Sequence, residues 1–255
     1  MSYVQVARRN SLVYKHVWKG TLLFTFLNPI LYLGAIGFGI GALVSRRSPD
    51  AFGEGGYLAF FATGMLASTC MNAASFESSW SILQKLTRYG TYEAMLATPL
   101  QSKDVVLGEL FWIGLRLITV ATAFFIVMVA FGVVGASSAV LAIPAAVLMG
   151  LGFSAAIMAY SATAESSNDL SGMQRFVIQP LFLFSGTFFP LDTLPTWINA
   201  VANVSPLYHG IELVRGVTLY GISSAEAAWH LAYLLVFLAV SISLAQRTFH
   251  RRLVK

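Results

Sequence analysis

The sequence predicts an all-α, polytopic membrane protein with six transmembrane helices in a single domain, residues 1–255. Three observations carry that prediction. Hydrophobic residues make up 57% of the chain and charged residues only 11%, against about 25% charged in a soluble domain. Six apolar stretches, 22–44, 57–76, 107–134, 140–162, 172–189 and 229–245, each approach the ~20 residues that cross a bilayer as a helix. Lys and Arg are divided unevenly among the segments between them. The stretches are continuously apolar, which excludes the alternating pattern of a transmembrane barrel. The first apolar run is too long for a cleavable leader and lacks an A-x-A site. Cys70, the single cysteine, lies inside the second stretch, which excludes an intrachain disulfide.

Orientation follows the positive-inside rule. With both termini cytoplasmic, only Arg46, Arg47 and Arg215 of the 16 Lys and Arg residues fall outside. The net charge of +5 is then a topology signal with some attraction to anionic lipid. No soluble basic face with nucleic-acid readers is present, so nucleic acid is excluded as a partner.

Residues 1–20 precede the first span and read as an amphipathic interface helix. At helical spacing Arg8, Lys15 and Lys19 share one face, while Val6, Val13 and Val17 share another. Such a helix lies in the headgroup layer. Span one contains Asn28-Pro29, a kink signal, and the small residues Gly34, Gly37 and Gly41 on one face. Gly37-x-x-x-Gly41 matches the close-approach motif, either between subunits or within the chain. Span four carries a similar face from Ala146, Gly150 and Ser154.

Between spans two and three, residues 80–98 interrupt the apolar sequence. Ile82, Leu86 and Tyr89 form one helical face, Gln84, Lys85 and Arg88 another; Gly90 loosens the helix and Pro99 stops it. The pattern fits a helix lying on the membrane or one docked in the groove of a cytoplasmic partner. The fifth stretch is short and contains Pro180. Beyond it, residues 190–220 hold a stiff Pro190–Pro195 turn and two short patterns, Trp197, Val201, Val204 and Leu207, Ile211, Val214. These predict short external re-entrant helices, tolerable at membrane depth when buried in protein.

Catalytic chemistry finds no support. His16, His209, His230 and His250 have no ligand spacing to one another or to Cys70, and no phosphate-binding loop occurs. Among charges near spans, Arg116 reads as a snorkelling residue, and Glu77 and Glu109 as interface residues. No membrane-centred acidic relay or paired internal repeat supports an ion-gradient-driven carrier, and no convergent polar set supports an enzyme acting on lipids.

The strings Tyr92-Glu93-Ala94-Met95-Leu96-Ala97-Thr98-Pro99 and Phe184-Ser185-Gly186-Thr187-Phe188-Phe189-Pro190 carry a resemblance. So do Asn28-Pro29-Ile30-Leu31-Tyr32, Thr63-Gly64-Met65, Val106-Leu107-Gly108-Glu109 and Ser205-Pro206-Leu207. On these the chain resembles the permease subunits of ABC-2 type (type V-like) exporters, the nodulation-factor and polysaccharide exporter permeases in particular. The resemblance implies a homodimer in the inner membrane, with a separate ATPase polypeptide docking on each subunit. No cofactor is implied in this chain; ATP and Mg belong to the partner ATPase. Tyr92, Glu93, Met95 and Leu96, with Arg88, become the coupling helix. Ser185, Gly186, Phe189, Pro190 and Pro206 become the external gate. The implied cargo is a lipid-linked saccharide or similar amphiphile, with a hydrophobic drug as the alternative within the same superfamily.

Overall fold

The structure is a computed structural model that describes residues 2–16, 18–41, 44, 52, 55–135 and 139–254. Val17, Arg46, Arg47 and Lys255, used above for the interface helix and the topology, lie outside the described residues, as do 42 and 43 in the first apolar stretch.

The described residues are helical, without strands. Helix α1 spans Ser2–Tyr14 and α2 spans Trp18–Ala35, running on as a π-helix over Ile36–Gly41. Helix α3 (Gly56–Ser78) bends at Ser79 into α4 (Trp80–Thr87), and α5 (Thr91–Leu96) follows. The residue between those last two that makes the turn is Gly90, whose φ of +54° is open to glycine at no steric cost. The stretch 80–98 is therefore two short helices meeting at a corner.

Helix α6 (Ser102–Ala130) starts with a capping box of Gln101 and Asp104, which satisfies two of the first-turn amides. Helix α7 (Ala142–Ser161) follows a single 3-10 turn, Ala139–Leu141. A second capping box, Ser166 with Asp169, opens α8 (Ser167–Met173), which passes through a π-turn (Gln174–Ile178) into α9 (Gln179–Phe184). Two backbone amides hold the Asp169 carboxylate below its usual range. Helices α10 (Thr196–Val204) and α11 (Pro206–Arg215) are joined at Ser205. That residue caps α11 through its hydroxyl while Pro206 occupies the first turn, where its missing amide costs nothing. Helix α12 (Ser224–Leu253) opens with the Ser223–Glu226 box and closes with His250, Arg251 and Arg252, the two arginines suiting the negative end of the helix dipole.

Among the described residues, four helices are long and apolar enough to cross a membrane: Gly56–Thr87, Ser102–Ala130, Ala139–Ser161 and Ser224–Leu253. The first and fifth predicted spans are not among them. The first runs into residues outside the described ones, and the helix of the fifth, 167–184, carries Asp169 and Arg175 within a short length. The fifth also begins earlier than its apolar stretch and ends at Phe184, so 185–189 is a non-helical turn.

Helices α3, α6 and α7 form the centre, α12 packs along α7, and α11 seals one end. Small residues permit the closest approach. Ala146, Gly150 and Ser154 are all buried, and a Cβ on Gly150 would lie 2.9 Å from Leu117. There the Ser78 and Ser154 hydroxyls share a hydrogen bond of 2.6 Å. Across the opposite end of the bundle lies α1. Its inward residues are Val6, Ala7 and Asn10, and Val6 sits where a Cβ on Gly108 would be, 2.6 Å away. Val13 is exposed, so the buried face is rotated from the Val6–Val13 stripe; the close fit at Gly108 decides the rotation.

Candidate functional site

The residues singled out from sequence gather at the two ends of the bundle. At the end bearing α1, α4 and α5, Glu109 is the centre of a buried polar cluster. Its carboxylate is 1% exposed and pairs with Lys85 at 2.8 Å. It also accepts from Asn10 Nδ2 at 2.9 Å and from the Tyr92 hydroxyl at 3.0 Å. One acidic side chain thus ties α1, α4, α5 and α6 together. Burial, followed by the neighbouring carboxylate, pushes the Tyr92 phenol well above its usual pKa, so it stays a donor. Arg9 reaches Thr91 from the α1 side at 3.5 Å, and the Tyr92 ring meets Phe249 edge-on.

This arrangement sorts the residues assigned to the coupling helix. Tyr92 is fully buried and faces the bundle. Met95 packs partly against the core, and Leu96 lines a shallow recess with His250 and Leu253. Glu93 and Arg88 are exposed. Tyr89, read as apolar-face, is 61% exposed, because the corner at Gly90 turns it away from Ile82 and Leu86. Lys85, read as solvated, is drawn inward by Glu109. The sequence signal for that pairing was Glu109 lying inside an apolar run, where an unpartnered carboxylate is costly.

At the far end, the external-gate residues form a second cluster. Ser185 is buried and its hydroxyl meets that of Ser205 at 2.9 Å, beside Pro206. Gly186 has a φ of +88°, and its carbonyl accepts from Arg215 Nη2 at 2.7 Å. The same nitrogen reaches the Phe60 carbonyl at 3.1 Å, and the guanidinium lies 3.6 Å over the Phe60 ring. The neighbouring Thr187 hydroxyl meets Ser68 at 2.7 Å. Phe189 and Pro190 are half-buried. Arg215, counted from sequence as an external charge, is buried and staples the turn to α3. Gly64 lies in the same seam, where a Cβ would stand 3.0–3.1 Å from the Thr187 backbone and Arg215. Gly64→Ala is expected to cost about 1–3 kcal/mol through overpacking, measured as a lowered thermal midpoint. An unchanged midpoint would mean that the seam yields.

Two of the four scattered histidines also meet here. His209 and His230 approach Nδ1 to Nδ1 at 2.7 Å, and His209 stacks on Tyr233 at 3.8 Å. Their 21-residue separation in sequence concealed the contact. No group of three or more metal-ligating side chains occurs among the described residues. The apolar faces of the two short helices diverge: Leu207, Ile211 and Val214 are in the core, whereas Trp197, Val201 and Val204 are exposed. Of the three packing glycines, Gly37 sits 3.5 Å from Leu58 of α3, measured from an added Cβ, and Gly34 faces open space. Gly41 closes the π-turn on the Ile36 carbonyl. Gly37 and Gly41 lie within that π-turn and Gly34 in the α-helix before it.

A bundle that spends its buried polar groups on tying helices together, with apolar helices of membrane-crossing length, defines a multi-pass membrane protein. The chain belongs to the ABC-2 type transporter family, whose model matches residues 1–219. Its relatives include Nodulation protein J of Rhizobium leguminosarum bv. trifolii, 32% identical across 100% of this chain and 95% of that protein. Nodulation protein J of Neorhizobium galegae is 31% identical over 100% and 95%. That of Rhizobium meliloti (strain 1021) is 30% identical over 99% and 94%.

Proposed function

We propose that this chain is the membrane-spanning permease subunit of an ATP-driven exporter for a lipid-linked saccharide or similar amphiphile. In this reading it crosses the inner membrane six times with both termini cytoplasmic, the α1, α4 and α5 end facing the cytoplasm. It works as a homodimer, and a separate ATPase subunit supplies the ATP and Mg chemistry. The family and the Nodulation protein J relatives support the transport role. The observation that carries the mechanism is the placement of Glu93. It is exposed on α5, while its neighbour Tyr92 is bonded behind it to Glu109 and through Glu109 to Lys85 and Asn10.

A motor pushing on α5 therefore pushes on α6, α4 and α1 as one body. ATP-driven closure favours one arrangement of the dimer over the other, a population shift between inward- and outward-facing states. The side chain that meets the motor is distinct from the one that transmits the load. Glu93→Ala is accordingly expected to leave folding intact and to lower ATP-dependent export about tenfold or more, the loss of one interfacial hot spot. The measurement is export and ATPase activity of the chain co-purified with the ATPase encoded beside its gene. Full export by that variant at normal protein levels would remove α5 from the coupling path.

A further inference from the structure

A cavity of about 830 Å³ opens between α1, α2, α3, α4 and α6, on the same end as the Glu109 cluster. Its lining is unlike the rest of the apolar surface. Asn28 sits mid-way along α2, exposed, and its amide makes no hydrogen bond among the described residues. An amide facing hydrocarbon there would be costly. Pro29 removes the hydrogen bond that the Thr25 carbonyl would receive, and Thr25 lines the same space. The Thr69 hydroxyl is shut from solvent and unpartnered. Gln84 adds a second uncommitted amide. Rings stand opposite: Tyr14 and Trp112 pack edge-to-face at 5.6 Å.

The charges in the wall are largely spent. Arg116 pairs with Glu77 at 3.3 Å and with the Tyr14 hydroxyl at 2.8 Å, and covers one face of the Tyr14 ring, leaving Trp112 as the open ring of the pair. Lys85 pairs with Glu109, and Arg9, without a carboxylate partner, donates to Asn10 Oδ1 and the Thr91 hydroxyl. Unspent amides and an open aromatic face, with the cations mostly neutralised, suit a hydroxylated uncharged head group better than a phosphate. Amides bridge vicinal hydroxyls, and flat rings accept the apolar face of a sugar. One turn beyond Asn28 on the same face of α2, Leu31 and Tyr32 are exposed, offering an apolar track for a chain attached to that head group.

We propose that this cavity is the loading site for the saccharide head of an acylated sugar drawn from the adjoining leaflet. This inference rests on the cargo reading above and assigns the place where cargo is first held. Its test uses the full chain in phosphatidylcholine nanodiscs with radiolabelled N-palmitoyl chitotetraose as probe. Unacylated chitotetraose and phosphatidic acid serve as competitors. The wild-type chain is expected to bind the acylated sugar, and Asn28→Leu combined with Gln84→Leu to bind it about tenfold more weakly at an unchanged thermal midpoint. Phosphatidic acid is expected not to compete, and the unacylated sugar to compete weakly. Equal binding by the double variant, no binding by the wild type, or displacement by phosphatidic acid would overturn the assignment.

ATP-dependent uptake of the same probe into inside-out vesicles, with the ATPase co-expressed, separates this inference from the reading it rests on. Uptake by the double variant at the wild-type rate takes the cavity off the path and leaves the exporter standing. Probe binding that depends on Asn28 and Gln84, without any ATP-dependent uptake, supports the cavity and defeats the exporter.

Discussion

Glu109→Leu is expected to lower the stability of this protein by about 3 kcal/mol, near the lower end of what breaking a buried ion pair costs. The Lys85 side chain is 13% exposed, so water relieves part of its stranded charge, and this places the loss at the lower end. The leucine also leaves the Tyr92 hydroxyl and the Asn10 amide without the acceptor they share. Glu109→Gln keeps one acceptor oxygen, enough for either the Tyr92 hydroxyl or the Asn10 amide, and loses the ion pair, so its thermal midpoint falls between the two. The double variant Lys85→Met with Glu109→Leu is expected to regain a large part of the loss, since a packed apolar pair avoids the desolvation of two charges. Thermal unfolding in detergent, followed by size exclusion, gives the order of the four proteins. A Glu109→Leu midpoint equal to wild type would show that the cluster bears no load. The transmission role adds a second readout: the double variant should hydrolyse ATP in complex with its ATPase yet export poorly.

Arg215 carries the second large effect. Its guanidinium is 3% exposed and donates to two backbone carbonyls, of Phe60 and Gly186, while covering the Phe60 ring. Glu212 stands 3.6 Å away as its counter-charge. Hydrogen bonds to a charged group contribute about 1.5–3 kcal/mol each. Arg215→Met is therefore expected to cost about 2–4 kcal/mol, because the Gly186 carbonyl loses its side-chain donor and the Phe60 carbonyl, which also accepts from Thr63, loses one of its own. Lysine should not rescue it: both bonds come from the terminal Nη2, beyond the reach of the shorter lysine chain, and an ammonium has no planar face to lie over the Phe60 ring. Hydrogen exchange over residues 185–195 is the measurement, with faster exchange expected in both variants while α6 and α7 stay protected. Unchanged exchange in Arg215→Lys would show that charge alone holds the turn.

Both effects arise from residues to which sequence pattern assigned no partner. Glu109 was taken for an interface carboxylate and Arg215 for an external charge. Each lies next to an apolar run, and pattern alone does not reveal which distant helix supplies a partner. Lys85 is 24 residues from Glu109, and Phe60 is 155 residues from Arg215. The His209–His230 contact escaped for the same reason. The residue classes assigned to α5 show the complementary limit. Helical spacing identified an amphipathic segment, but the corner at Gly90 decided that Tyr92 points inward and Tyr89 outward.

What the sequence by itself determined is the all-helical membrane class, the location of the short polar segment between the second and third apolar stretches, and the family. These are local or compositional properties: charge content, apolar run length, capping residues and contiguous motifs. The tertiary structure alone decided which face of α1 is buried and which polar side chains share a site. Those depend on the fit of one helix against another, where a missing Cβ at Gly108 or Gly64 sets the approach. Once that approach is set, a buried charge takes whatever partner the packing brings within reach, because leaving it unpaired costs more than any local preference.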